Sequence, residues 1–232
     1  MKKLIIFDLD GVLFDSKKNM EISWKNVMKT YKIKKKFTQY FKFVGLPFEA
    51  ILKNLKISKN DISGISKFYN KISLKNQNKI KLYNNVRYTL NHLKKKKIKI
   101  GIVTSKNKIR TLKLIKKFCL KFDIIVAKEP KFIGKPHPDQ INFALKKLNI
   151  KKKNAVYVGD MKVDYNCANK AKIKFIYASY GYGKKFPYYK NSIKNIKKIF
   201  KILYKIFEEI FVFNIFNIPN FFIYFFFEGF IT

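Results

Sequence analysis

The sequence predicts an α/β protein, a doubly wound parallel sheet with a helical segment inserted after the first strand. Three observations predict it. From Tyr83 onward, short apolar runs alternate with stretches of helical apolar spacing, which is the pattern of right-handed crossovers between parallel strands. One apolar run, LIIF at residues 4–7, stands alone near the N-terminus and stops at the acidic loop DLDG. Between that loop and Tyr83 the apolar residues recur at helical intervals.

In chain order, LIIF is a short continuous apolar run and reads as a buried strand that places carboxylates at its C-terminal end. Ser16 is a fitting N-cap for a helix carrying Met20, Trp24, Val27, Met28 and Tyr31. Phe48, Ile51, Leu52 and Leu55 repeat the spacing after Pro47, and Ile62, Ile65, Phe68, Tyr69 and Ile72 repeat it after Asp61. Residues 17–80 therefore read as a small helical bundle, between core segments at 1–16 and 81–200. Val86, Leu90 and Leu93 mark the next helix and IKIGIVT at 98–104 the next strand. Ile109, Leu112, Ile115 and Phe118 mark a helix, FDIIVA at 122–127 a strand, and Ile141, Leu145 and Leu148 a further helix. NAVYVGD at 154–160 and KFIYAS at 174–179 complete the strands.

With 47% hydrophobic and 17% aromatic residues the chain has the composition of a folding protein. Its formal charge is +38, from 52 Lys and Arg against 14 Asp and Glu. That excess would suit nucleic acid, but only Arg87 and Arg110 are arginines, and phosphate clamps and base reading favour the guanidinium fork. The lysines read instead as solvated faces, and nucleic acid is not an expected partner. Cys119 and Cys167 share no metal-ligand spacing, and two histidines, His92 and His137, cannot build a zinc site. The apolar run at the N-terminus is four residues long, too short for the core of a signal peptide. The expectation is a cytoplasmic protein.

A parallel sheet of this kind binds ligands beyond the carboxyl ends of its strands, and polar residues gather there: Asp8 and Asp10, Thr104, Lys135 in a loop, and Asp160 with Asp164. Singly, each has a plain structural reading, since Asp-Gly favours turns and Gly-Asp can cap a helix. Together they would make a cation site and a phosphate clamp. An all-carboxylate donor set suits Mg²⁺, whereas zinc would want nitrogen or sulfur.

These residues resemble the haloacid dehalogenase-like superfamily of phosphohydrolases over roughly residues 1–185. DLDGVLFDS at 8–16 is similar to its first motif, VTS at 103–105 to its second, GKPHPD at 134–139 to its third and GDMKVD at 159–164 to its fourth. The phosphoglycolate phosphatase-like branch carries a helical cap between the first two motifs, where residues 17–80 fall here. The resemblance implies that Asp8 is a nucleophile forming an aspartyl-phosphate and that Asp10 is the general acid and base, with its backbone carbonyl on the metal. It further implies that Asp160, with Asp8, holds Mg²⁺ and that Asp164 is a direct or indirect metal partner. Thr104 and Lys135 would bind the phosphoryl group. The expected substrate is a small phosphorylated metabolite, phosphoglycolate or a sugar phosphate. A mutase of the β-phosphoglucomutase kind and a non-catalytic, membrane-associated basic protein stand as alternatives.

Several neighbours have structural readings. Ser105 reads as a turn residue, His137 as shaping a loop between prolines, GYG at 181–183 as a turn, and Asp15 with Ser16 as a hinge or cap for the insert. Gly45, Leu46 and Pro47 are candidates to face the site. Residues 201–232 form an aromatic-rich tail, charge-free over 210–227, which is 18 residues and the lower edge of a membrane span. Asn214, Asn217, Asn220 and Pro219 weigh against insertion. Membrane contact, a packed hairpin and an unrelated extension stay open for the tail, as does oligomeric state.

Overall fold

The computed structural model describes residues 2–183 and 191–215, with side chains to 207. Six parallel strands form one sheet: β1 (Leu4–Phe7), β4 (Lys99–Asn107), β5 (Ile124–Lys128), β6 (Ala155–Gly159), β7 (Lys174–Ala178) and β8 (Ser192–Ile193). Their order across the sheet is β5-β4-β1-β6-β7-β8. β1 lies at the centre, with Ile6 opposite Gly101 on one side and Tyr157 on the other. All four residues of β1 are fully buried, as the unbroken apolar run required, each contributing roughly 1.5–3 kcal/mol. Leu4, Ile6 and Tyr157 pack in one core cluster with Ile141 and Leu145 of α7 (Asp139–Leu148) and with Cys167 and Ala168 of α8 (Lys162–Ala171). Ile5 and Phe7 alternate to the opposite face and are equally buried, so both faces are covered. α5 (Val86–Lys95) packs on β4, and α6 (Lys108–Lys117) on β4 and β5.

A second pair of strands, β2 (Phe14–Asp15) and β3 (Lys81–Leu82), runs antiparallel, with Phe14 opposite Leu82 and Asp15 opposite Lys81. The chain thus leaves and re-enters the sheet region side by side. Between these strands lie α1 (Lys17–Thr30), α2 (Phe37–Phe41), α3 (Phe48–Asn54) and α4 (Ile62–Lys75). They enclose their own apolar cluster around Trp24, Tyr40, Leu52, Ile65 and Tyr69. Trp24 stacks on Tyr40 with ring centroids 4.8 Å apart, and the Tyr40 and Tyr69 hydroxyls lie 2.9 Å apart.

Three expectations are corrected. Ser16 does sit at the start of α1 but makes no cap hydrogen bond; its hydroxyl turns to Asp10 instead. β4 continues to Asn107, past the expected end at 104, and Asn107 caps α6 by accepting from the amides of Ile109 (3.0 Å) and Arg110 (3.3 Å). The buried face of α6 is Arg110, Thr111, Leu114 and Ile115, whereas Ile109 and Leu112 are exposed. Its first turn follows directly on a polar strand end, so the inward positions there are polar.

Residues 1–198 form one compact unit and residues 199–232 a second. In the second, α9 (Ile199–Ile215) is a helix. No helix among the described residues is long and apolar enough to cross a membrane. Most of the charge-free stretch expected at 210–227 lies outside the described residues.

Candidate active site

Asp8 follows β1 directly, and its amide donates to the Val158 carbonyl of β6 at 2.9 Å, which fixes it at the middle of the sheet's carboxyl edge. Lys135, from the loop before α7, is wholly buried and donates to Asp8 Oδ1 at 2.6 Å and Asp164 Oδ1 at 2.7 Å. Burial disfavours its ammonium, but Asp164 and Asp8 more than offset this and raise its pKa. Burial likewise raises Asp8, against the pull of Lys135 and with the push of Asp164, to about 7. Asp160 is raised well above the carboxylate range by burial first and then by Asp164 and Asp8.

Oxygen atoms of Asp8, Asp160 and Asp164 lie within 4.8 Å of one another. Their environments differ. Asp164, on the first turn of α8, is saturated: Oδ1 accepts from Lys135 and from Tyr157 (3.3 Å), and Oδ2 from the amides of Asp160 (3.2 Å) and Met161 (3.0 Å). It caps the helix and orients its neighbours. Asp160 Oδ1, by contrast, is buried with no hydrogen-bond partner, an orphaned lone pair that a bound cation would satisfy. An all-oxygen set with a free buried carboxylate oxygen fits Mg²⁺. The carboxylate of Asp10 is not part of this trio.

Asp10 is held elsewhere. Lys106 donates to its Oδ1 at 2.9 Å and Oδ2 at 2.7 Å, and Ser16 Oγ donates to Oδ1 as well. Burial pushes Asp10 up, but these partners, Lys106 foremost, outweigh it and hold the carboxyl below its usual range. Lys106 is itself buried and lowered by that burial, against the opposing pull of Asp10. Sequence reasoning ended the second motif at Ser105 and missed Lys106. The signal available was a lysine two residues past Thr104, on a strand that ran further than expected.

Thr104 and Ser105 lie in the C-terminal half of β4, and Thr104 Oγ1 accepts from the Lys106 amide at 3.2 Å. Asp8, Asp10, Thr104 and Lys106 open onto one narrow cleft. Its opposite wall comes from the helical insert: Met20, Tyr40, Gly45, Leu46, Phe48 and Tyr69. Gly45 and Leu46 thus line the site as expected, while Pro47 lines the adjoining outer cleft. Ser105 is more than a turn residue, since its hydroxyl donates to the Gly45 carbonyl at 2.6 Å and ties sheet to insert. His137 does shape its loop: its amide donates to the Gly134 carbonyl at 2.9 Å and its carbonyl accepts from Cys167.

The GYG segment does more than turn. The Tyr182 amide donates to Asp160 Oδ2 at 2.6 Å, and its phenolic oxygen accepts from the Ser16 amide at 2.5 Å. The phenol also lies 3.1 Å from Asp15 Oδ1. Gly181 has to be glycine here, because a Cβ would fall onto the Asp160 carboxylate and the Gly11 carbonyl. Gly11, at φ +86°, is pressed against the same carboxylate.

A family model described as haloacid dehalogenase-like hydrolase matches residues 5–178. A pyrophosphatase, PpaX, of Oceanobacillus iheyensis is 27% identical over 177 residues, covering 74% of this chain and 81% of its own length. A phosphoglycolate phosphatase of Aquifex aeolicus is 28% identical over 189 residues, covering 78% and 87%. The crystal structure of a hydrolase from Pseudomonas syringae superposes with a TM-score of 0.79 at 22% identity, over 88% of this chain and 99% of that one, a likeness of fold.

Proposed function

The chain belongs to the haloacid dehalogenase-like hydrolases, and from that premise we propose that it is a Mg²⁺-dependent phosphatase of a small phosphomonoester, working through an aspartyl-phosphate on Asp8. The observation that carries this reading is the setting of Asp8: a carboxylate at the centre of the sheet edge, bonded to a buried lysine, beside Asp160 with its orphaned oxygen, and open to the cleft. The relatives named phosphoglycolate phosphatase and pyrophosphatase point to the same class of chemistry.

Asp8 attacks phosphorus and the bond to the leaving oxygen breaks; Asp10 supplies the proton that the leaving oxygen needs. Water then attacks the aspartyl-phosphate, Asp10 takes its proton, and the Asp8 carboxylate and inorganic phosphate are released. Lys106 keeps Asp10 ionised, the form required in the second half, so the proton-donating form requires that contact to loosen. Lys135 and the Thr104 hydroxyl face the negative charge of the transferring group. Asp8 and Asp160 would hold Mg²⁺, with Asp164 positioning them through Lys135 and the backbone. The ion supplies charge that offsets repulsion between a carboxylate nucleophile and an anionic phosphate.

The test is phosphate release from a panel of phosphomonoesters with Mg²⁺ or with EDTA, comparing the wild type with Asp8→Asn. Metal-dependent turnover lost in Asp8→Asn supports the reading. Equal background in both proteins would refute it.

A further inference from the structure

Arg110, on the first turn of α6, is 6% exposed and lines the cleft that holds Asp8. It also lines the outer cleft, whose other charged residues are Lys53, Lys128, Glu49 and Glu129, so it stands where one space passes into the other. Its direct side-chain contacts are neutral: Nη1 donates to Asn70 Oδ1 at 3.2 Å, and Cζ lies 5.1 Å over the ring of Tyr69. Asp10 feels its charge, which helps lower the Asp10 pKa, but that carboxylate is held by Lys106 and Ser16. Asp8 is matched by Lys135 and Asp10 by Lys106, and among the described residues no carboxylate forms an ion pair with Arg110. A buried guanidinium with neutral partners is costly unless an anion joins it. Its fork matches a carboxylate or a phosphate, and Asn70 and Tyr69 of the insert hold it in place.

We propose that Arg110 binds an anionic group on the leaving portion of the substrate, so that the preferred phosphomonoesters carry a carboxylate or a second phosphate beside the ester. This rests on the phosphatase reading of Asp8 and adds to it the charge of the alcohol released. Beside Arg110 the wall of the cleft is largely apolar, from Met20, Leu46 and Phe48, and the Tyr40 and Tyr69 hydroxyls lie against each other at 2.9 Å, which agrees with a small charged group held from one side.

The experiment compares 2-phosphoglycolate, ethanediol bisphosphate and ethyl phosphate, the first two bearing an anion and the third none. For the wild type, kcat/KM should favour the anionic pair, and the better of these identifies the anion. In Arg110→Gln the preference over ethyl phosphate should fall about 10–100-fold, through KM. Asn70→Asp, which sets a carboxylate against the guanidinium, should produce the same loss without truncating Arg110, and the exposed Arg87→Gln should not. A preference unchanged in both Arg110→Gln and Asn70→Asp would overturn the proposal. Calorimetric binding of 2-phosphoglycolate and ethyl phosphate to the Asp8→Asn protein in Mg²⁺ gives the same ratio without turnover. An Arg110-dependent binding preference in the Asp8→Asn protein, combined with a wild type that hydrolyses none of the three esters, would refute the phosphatase reading and keep the anion site; no such preference would remove the site.

Discussion

Lys106 Nζ grips both carboxylate oxygens of Asp10, at 2.9 and 2.7 Å, from 96 residues further along the chain. Removing that grip in Lys106→Met leaves Asp10 to burial, which raises its pKa. A step that needs the Asp10 carboxylate is then lost at higher pH, so the acid limb of the kcat–pH profile should move up by about one to two units. An unmoved limb would mean that Lys106 does not set the ionisation of Asp10 during turnover.

Lys135→Met strands two buried carboxylates, Asp8 and Asp164. Breaking a buried pair on one side costs about 3–5 kcal/mol, and urea unfolding in EDTA should show a loss of that size at pH 7.5. Without the ammonium, Asp8 loses the partner that opposes its burial and its raised pKa rises further, so the folded state binds more protons than the unfolded one and the variant should regain stability as the pH is lowered toward 5.

Mg²⁺ affinity should depend on pH in a stated direction. Asp8 is raised to about 7 and Asp160 is raised well above its usual range, so in the metal-free protein a cation has to displace a proton at acid pH. Calorimetric titration should show Mg²⁺ binding weakening by about tenfold for each pH unit below 7, with protons released on binding. A pH-independent constant between 5 and 7 would place the ion away from these carboxylates.

Gly181→Ala puts a methyl group where the Asp160 carboxylate now lies. The carboxylate or the loop has to shift, which should raise the Mg²⁺ concentration for half-maximal activity by about tenfold, the scale seen when groups supporting a metal ligand are disturbed.

The two thiols should differ sharply. Cys119 is exposed, whereas Cys167 is buried, and that burial pushes its thiol up to about 12. An aromatic disulfide reagent at pH 8 should titrate one thiol in the folded protein and two in urea, and Cys119→Ser should abolish the fast reaction.

The strands were readable because burial on both faces leaves an unbroken apolar signature, and LIIF is the clearest case. The candidate carboxylates and Lys135 were readable because they lie in short motifs at strand ends, and the structure does bring Asp8, Lys135, Asp160 and Asp164 together. Lys106 was not, since nothing local distinguishes it among so many lysines, and Arg110, though one of two arginines, sits in no motif that ties it to the site. Their meaning comes from Asp10 and Asn70, which are far away in sequence. Tyr182 was hidden for the same reason, its bond to Ser16 spanning 166 residues. The buried face of α6 was misjudged because apolar spacing reports the side of a helix that meets a core, and the first turn of this one meets a polar cleft.

The β2–β3 pair joins Phe14 to Leu82 and Asp15 to Lys81, so the helical insert departs and returns through adjacent strands. Its two ends are therefore fixed neighbours whatever lies between them. Such an attachment works as a socket: residues 17–80 can be exchanged for another helical module, or for a tight turn, without asking the sheet to change a single strand pairing. Arg110 belongs to the sheet side of that socket and Asn70 to the insert, so a graft would separate the anion-reading guanidinium from the residue that aims it. Recognition of the leaving group would then change while the apparatus around Asp8 stayed in place.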